Sequence, residues 1–370
     1  MESIDIVGIA RQVAWLAFGL GVIFGATSQR THFCTMGALA DIASSGDWTR
    51  MRQWLLAIAV AVLGTNLLAY FGFIDLSKSI YTSPRIVWLA NLTGGALFGF
   101  GMVLVGGCGS KTLVRIGNGN LKSVVVFIVL GLSAFMTLKG ILALPRANLL
   151  EPVSLTLSTT QDLPSIAAKY FGTKHALQLI ITGAVSLPLM FFVFASKSFR
   201  TTENILAGLV IGAVIAAAWF ISGNLGYVAE DPATLQEAFV ATNSHRMESF
   251  SFVAPYAYLL DLLMMWTDQS KAVTFGIAAS SGVVSGSLAC ALVTRSFRWE
   301  GFTNIEDLAH HLIGAALMGF GGITALGCTI GQGLSGVSTL SVGSILTLAA
   351  IIVGAFAALN YQSWRVGRNI

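Results

Sequence analysis

The sequence predicts an all-α integral membrane protein, with about nine transmembrane helices and re-entrant loops or helices arranged as an inverted-topology repeat. Three observations predict it. Only 10% of the 370 residues are charged (21 Lys and Arg, 17 Asp and Glu) and 55% are hydrophobic, where a soluble domain carries about 25% charge; mean hydropathy is +0.77. The charges are spaced so that stretches of bilayer length separate them, a spanning helix needing about 20 apolar residues. The pattern G-F-G-x5-G-C occurs twice, at Gly99–Cys108 and Gly319–Cys328, at an offset of 220.

Residues 12–29, 53–74, 86–110, 175–196, 204–229 and 272–294 contain no Asp, Glu, Lys or Arg, and 308–364 is a charge-free stretch long enough for two spans. A shorter gap, 123–138, is extended by Lys139, whose long side chain can reach the interface. The predicted spans are therefore 12–29, 53–74, 86–105, 122–143, 175–195, 204–222, 272–293, 308–326 and 341–360. The opening "MESIDIVGIARQ" is acidic where a signal peptide would be basic, so the first span is read as retained. Segment 145–174 reads as a loop with a partial helix over 163–171, and Ser249–Trp266 as an interfacial or re-entrant helix interrupted by Pro255 and Asp261.

Cations set the orientation. Arg30, Arg50 and Arg52, then Lys111, Arg115 and Lys122, then Lys197 and Arg200, then Arg295 and Arg298, and finally Arg365 and Arg368 fall in alternate connections. The connection 223–270 is acidic instead. Nine spans with the N-terminus outside and the C-terminus in the cytoplasm place every basic connection inside. The net charge of +4 arises at these flanking positions and implies no nucleic-acid partner.

The repeat divides the chain into 1–145 (spans one to four), 146–203 (loop and connector span five) and 204–370 (spans six to nine). An odd number of spans separates equivalent elements, so the second half enters the membrane inverted, as in transporters whose site lies near the midplane. The Cys108 and Cys328 breaks then approach each other from opposite sides. Gly106, Gly107, Gly109, Gly327 and Gly331 are the loop-forming glycines of these breaks. Irregular backbone at membrane depth is tolerated only against protein or water, and a broken helix offers N–H groups and a positive dipole end to an anion. Cys34, in "THFCTMGALAD", lies in a comparable setting after span one, and its counterpart falls either around Ile221–Gly226 or within 249–266.

Four cysteines without C-x-x-C spacing give no disulfide framework. Cys290, inside span seven with no glycine break beside it, reads as a small buried hydrophobe. Arg30, His32, Lys111, Arg115 and Gln332 are candidates for an anion-attracting vestibule, although Lys111 and Arg115 also serve as positive-inside anchors. His32 stands two residues from Cys34 but has no second compact ligand pair, so neither a metal nor a cofactor is expected.

"THFCTMGALAD", "GFGMVLVGGCGSKTLVR" and "GFGGITALGCTIGQGLSG" together resemble the YeeE/YedE family, a sulfur-transport family whose best understood members take up thiosulfate. The resemblance covers the whole chain. It implies an hourglass-shaped fold in a bacterial-type inner membrane, a transporter and not an enzyme, and three path cysteines: Cys34 in F-C-x-x-G, Cys108 in G-G-C-G and Cys328 in G-C-T-x-G. Ala38 and Leu39 stand where many members are more polar. The substrate so implied is a small inorganic anion, thiosulfate first and other sulfur or selenium species second. A cytoplasmic sulfur carrier or sulfurtransferase is the partner compatible with it, beside the lipid bilayer. Neutral thiols suit such an ion, being weak donors and polarizable acceptors, and weak successive sites permit conduction. The rival is a membrane sulfurtransferase or thiol redox protein using Cys108 or Cys328, which needs an activating base. A further alternative is a non-transporting subunit that delivers sulfur to a partner.

Overall fold

In the computed structural model, residues 5–231, 234–268 and 271–368 are described. Glu2, part of the acidic N-terminal signal, lies outside them. The helices are α1 (Ile6–Arg30), α2 (Thr35–Ser45), α3 (Thr49–Tyr70), α4 (Trp88–Leu104), α5 (Gly109–Gly117) and α6 (Leu121–Lys139), then the single turn α7 (Ala143–Pro145). They continue as α8 (Leu163–Phe171), α9 (Lys174–Phe194), α10 (Thr202–Phe220), α11 (Ala254–Met264), α12 (Phe275–Val293), α13 (Ile305–Thr324) and α14 (Val342–Arg368). Two short antiparallel ribbons pair β1 (Arg85–Ile86) with β2 (Leu155–Thr156), and β3 (Tyr227–Val228) with β4 (Ala238–Phe239).

Each predicted span coincides with one long helix: α1, α3, α4, α6, α9, α10, α12, α13 and α14. Among the described residues, eight helical stretches are long and apolar enough to cross a membrane. The ninth helix, α13, begins with Glu306, Asp307, His310 and His311, which lower its hydropathy. Those charges are matched: Asp307 takes Lys122 Nζ at 2.7 Å, and Glu306 pairs with Arg365. Trp15 of α1, Leu187 and Phe191 of α9, and Val293 of α12 are exposed. So large an apolar surface belongs in lipid, and the chain is an integral membrane protein.

The helix contacts survive exchange of the two halves. α1 packs on α12 and α10 on α3; α4 packs on α14 and α13 on α6; and α4 meets α13 at the centre. Four glycines build that central crossing. A Cβ on Gly101 would lie 2.6 Å from the Gly314 carbonyl oxygen, and one on Gly314 would lie 2.7 Å from that of Gly101. Gly94 and Gly321 form the same reciprocal pair, at 2.7 and 2.5 Å. The backbones therefore touch without an intervening side-chain layer, the close approach that small residues permit in membranes.

Short helices fill the remaining positions in the same paired way. α2 touches α3 and α14, and α11 touches α12 and α6. α11 thus answers α2, with Phe252–Val253 standing where Phe33–Cys34 stand in the first half. Of the two expected counterparts of the Cys34 loop, the second is therefore the structural one. Ile221–Gly226 only widens the end of α10 into a π-type turn. The expected partial helix at 163–171 is α8, whose N-terminus Asp162 caps by accepting the Ser165 N–H at 3.0 Å.

Gly101→Leu is expected to force α4 from α13 and lower stability by about 1–3 kcal/mol, the scale of overpacking, read as a lower melting temperature in detergent. Gly19→Leu, with nothing within 4 Å of its Cβ position, should melt with the parent. Equal melting of all three proteins would refute the close crossing.

Candidate substrate path

Both central breaks end their helices with the same pair of hydrogen bonds. The Gly106 N–H donates to Val103 O at 3.1 Å and the Gly107 N–H to Met102 O at 2.8 Å; the Leu326 N–H donates to Ile323 O at 3.1 Å and the Gly327 N–H to Gly322 O at 2.7 Å. This is the Schellman arrangement, which requires a left-handed residue at the first position past the cap. Gly106 supplies it with φ +71°, whereas Leu326 adopts φ +59° despite its side chain, a strain of roughly 1–2 kcal/mol. One residue after each motif the chain reaches cysteine and turns helical again.

All three predicted path cysteines are buried and each starts a short helix. Cys34 caps α2, its sulfur accepting the Gly37 N–H at 3.4 Å. Cys108 is the cap residue of α5, with its sulfur 3.3 Å from Ser110 Oγ. Cys328 opens the turn 329–338, and its sulfur accepts the Gly331 N–H at 3.4 Å. Cys108 is the middle member: Cys34 and Thr329 face its sulfur, and Cys328 lies within electrostatic reach. Among the described residues, the buried Thr35, Thr329 and Tyr81 hydroxyls have no hydrogen-bond partner. Cys290 is half-buried on α12 and belongs to no break.

Lys111 and Arg115 lie on α5 just past Cys108. The Lys111 ammonium neighbours Cys34, Cys108, Arg50 and Arg115 and, among the described residues, forms no ion pair. Among the described residues the Arg115 guanidinium hydrogen-bonds only the Val105 carbonyl, at 3.5 Å, and it lies near the Cβ positions of Gly106 and Gly107. By the same offset of 220, the second half carries Gly331 and Ser335 at these positions. The helical segment that follows Cys108 is therefore cationic, and the one that follows Cys328 carries no charge at the matching positions.

The remaining candidates divide. His32 is exposed with φ +53° and lies within electrostatic reach of Lys111 and Arg50. Arg30 turns away to Glu203, 3.4 Å distant, with 63% of its side chain exposed. Gln332 is buried behind the second break, donating to Ala325 O at 2.5 Å and leaving its own oxygen unpartnered. Gly109 permits a close approach, since a Cβ there would lie 2.7 Å from Phe252 O, and one on Gly331 would lie 2.6 Å from Ser251 Oγ.

Several residues escaped the sequence reading. Tyr256 Oη donates to Gly109 O at 2.5 Å and so holds the Cys108 turn from the other half. Arg50 pairs with Asp41 at 2.6 Å and rests on Gly37. Tyr81 and Thr329 occupy the thiol cluster. An aromatic or hydroxyl residue in an apolar run carries no signal of its own; only Tyr256 could be found, through its place four residues past Phe252 in the first turn of α11.

Beyond Cys328, at the end opposite Lys111, are two cavities of about 160 and 180 Å³. Gln332, Gln161 and Arg85 line the first, and Ser251, Arg146 and Gly327 line the second. Ile80 and Leu326 line both. At the same end Lys78 Nζ lies 2.5 Å from Glu237 Oε2 and holds that exposed carboxyl below its ordinary range.

The family described as sulphur transport matches residues 30–357. The thiosulfate transporter TsuA of Escherichia coli (strain K12) is 25% identical over 363 residues, covering 94% of this chain and 92% of that protein. The protein of the same name from Spirochaeta thermophila is 24% identical over 345 residues, 92% of this chain and 96% of its own. The probable transporter YedE of Salmonella typhimurium is 32% identical over 108 residues, 29% of this chain and 25% of that protein.

Tyr256→Phe should loosen the Cys108 turn and cost about 1–3 kcal/mol by stripping a buried carbonyl of its donor. Faster alkylation of Cys108, read peptide by peptide, together with a lower melting temperature is the expected result. Unchanged values for both would show that the turn stands without Tyr256.

Proposed function

Because the chain belongs to the sulphur transport family, we propose that it carries a sulfur-containing inorganic anion, thiosulfate first, through the inner membrane into the cytoplasm. The observation that carries this reading is the row of buried thiols Cys34–Cys108–Cys328, each at the start of a short helix, with unpaired Lys111 and Arg115 at one end. A partly buried cation without a counter-charge favours an anionic guest. The unpartnered hydroxyls of Thr35, Tyr81 and Thr329 offer donors at the same place, and buried polar groups normally find partners.

The thiols act as stations and form no covalent bond with the ion. Thiosulfate is a soft dianion, hydrated strongly on oxygen and less on its terminal sulfur. A neutral thiol donates weakly to it and is polarizable enough to meet its sulfur. Helix starts add N–H groups and positive dipole ends. Because each contact is weak, the ion is passed on and not trapped.

The positive-inside distribution orients the molecule, with the N-terminus outside and the C-terminus cytoplasmic. The halves 1–145 and 204–370 are then inverted repeats joined through 146–203, the Cys328 turn faces the outside, and Lys111 and Arg115 face the cytoplasm. An entering anion first meets a vestibule in which Arg146 is matched by Glu151, and meets the unpaired Lys111 and Arg115 last. A cytoplasmic sulfur carrier or sulfurtransferase is the partner that would keep the gradient inward.

Uptake of labelled thiosulfate into empty proteoliposomes tests the reading. Cys108→Ala, Cys328→Ala and their Ser counterparts should each lose most uptake while melting with the parent, and Cys290→Ala should retain it. No uptake by the parent, or undiminished uptake by both Ala variants, would overturn the thiol path. Lys111→Gln combined with Arg115→Gln should weaken uptake by about tenfold or more, since each lost charge interaction near a protein surface is worth on the order of 1 kcal/mol. Unchanged uptake would remove these cations from the path. The facing thiols of Cys34 and Cys108 favour one other reading, a thiol redox protein; uptake by reduced protein into liposomes without any sulfur acceptor separates the two.

A further inference from the structure

We propose that Leu326 is the gate of the path on the Cys328 side, closing it together with Ile80. The proposal deepens the transport reading and rests on it. Both central helix ends need a left-handed residue, and glycine adopts that conformation freely. The first half uses Gly106, with φ +71°, whereas the second places Leu326 there with φ +59°. Glycine abounds around it, at 319, 321, 322 and 327, so a strained leucine is kept where the equivalent position needs no side chain. Residues held in such conformations cluster at clamps and switches.

Its surroundings say what the side chain does. Leu326 is 49% exposed, too open to serve as core packing. Together with Ile80 it forms the sole shared lining of the two cavities, one holding Gln332 and the other Ser251 and Gly327. Gly327, next to Cys328, lines the second cavity, and Gln332, four residues past Cys328, lines the first, so the two apolar side chains stand between cavities that flank the Cys328 turn. Two hydrocarbon groups across a narrow polar passage make a constriction that excludes water and ions. Swinging Leu326 aside joins the cavities over Cys328. At the equivalent place on the other side Gly106 has no side chain, and Arg115 Nη1 and Met36 Cε lie 3.7 and 3.8 Å from its Cβ position. The helix break on the Cys328 side therefore carries an apolar side chain that the break on the Cys108 side lacks.

The test reads the accessibility of Cys328 in reconstituted full-length protein. A membrane-impermeant anionic methanethiosulfonate is applied to the Cys328 side, and modification of each cysteine is followed by mass spectrometry. Leu326→Gly should raise the Cys328 rate about tenfold, the factor hidden by a gate that is open one-tenth of the time. Leu326→Ala and Ile80→Ala should raise it by less, Cys290 should not change, and Leu326→Gly should melt no lower than the parent. An unchanged Cys328 rate in Leu326→Gly, or an equal rise at Cys290, overturns the gate. If the glycine variant does not fold, the two alanine variants decide by the same criterion. Repeating each rate with thiosulfate separates the layers: absence of protection in every protein sinks the thiol path, whereas a faster rate in Leu326→Gly alone still upholds the gate.

Discussion

A backbone N–H or C=O left unpaired in hydrocarbon costs several kcal/mol, and the unusual parts of this fold all answer that constraint. Helices that stop inside a membrane protein must satisfy their last carbonyls and first amides. Here α4 and α13 close with paired Schellman bonds, and the next helical segment begins within two residues. Cysteine occupies the restart, where a side chain can accept a backbone N–H, as Cys34 does from Gly37 and Cys328 from Gly331. The thiols are thus placed by the solution to a hydrogen-bonding problem. Their alignment follows from three helix restarts, each opening on a cysteine, that meet in one region.

Much of this was legible in the sequence. Charge-free stretches located all nine long helices, because in lipid the absence of charge is itself the signal. The offset of 220 located both central breaks, because glycine and cysteine recur in a fixed pattern. The counterpart of Cys34 was harder, since Val253 is one more apolar residue and its offset is 219. Long-range partners were invisible for a different reason. Nothing local announces that Arg30 is taken by Glu203, or that Tyr256 reaches the carbonyl of Gly109; these depend on which helices become neighbours.

The two halves agree in packing and disagree in polarity. The packing must match because the same crossings recur on both sides of the centre, and a change in one would misfit the other. Side chains facing the path are free of that requirement. Lys111 and Arg115 against Gly331 and Ser335, and Cys34 against Val253, are changes that leave the crossings intact. A near-symmetric scaffold in this way carries unlike side chains at its centre.

The contact of α4 with α13 has a mechanical consequence. Where Gly94, Gly101, Gly314 and Gly321 bring backbone against backbone, no layer of pliable side chains remains to act as a bearing. The halves are riveted at their common axis and cannot rock about it as rigid bodies. Any motion that admits an ion must come from the short helices and turns around the rivet, so this protein is built like a fixed frame with small shutters and not like a pair of swinging doors.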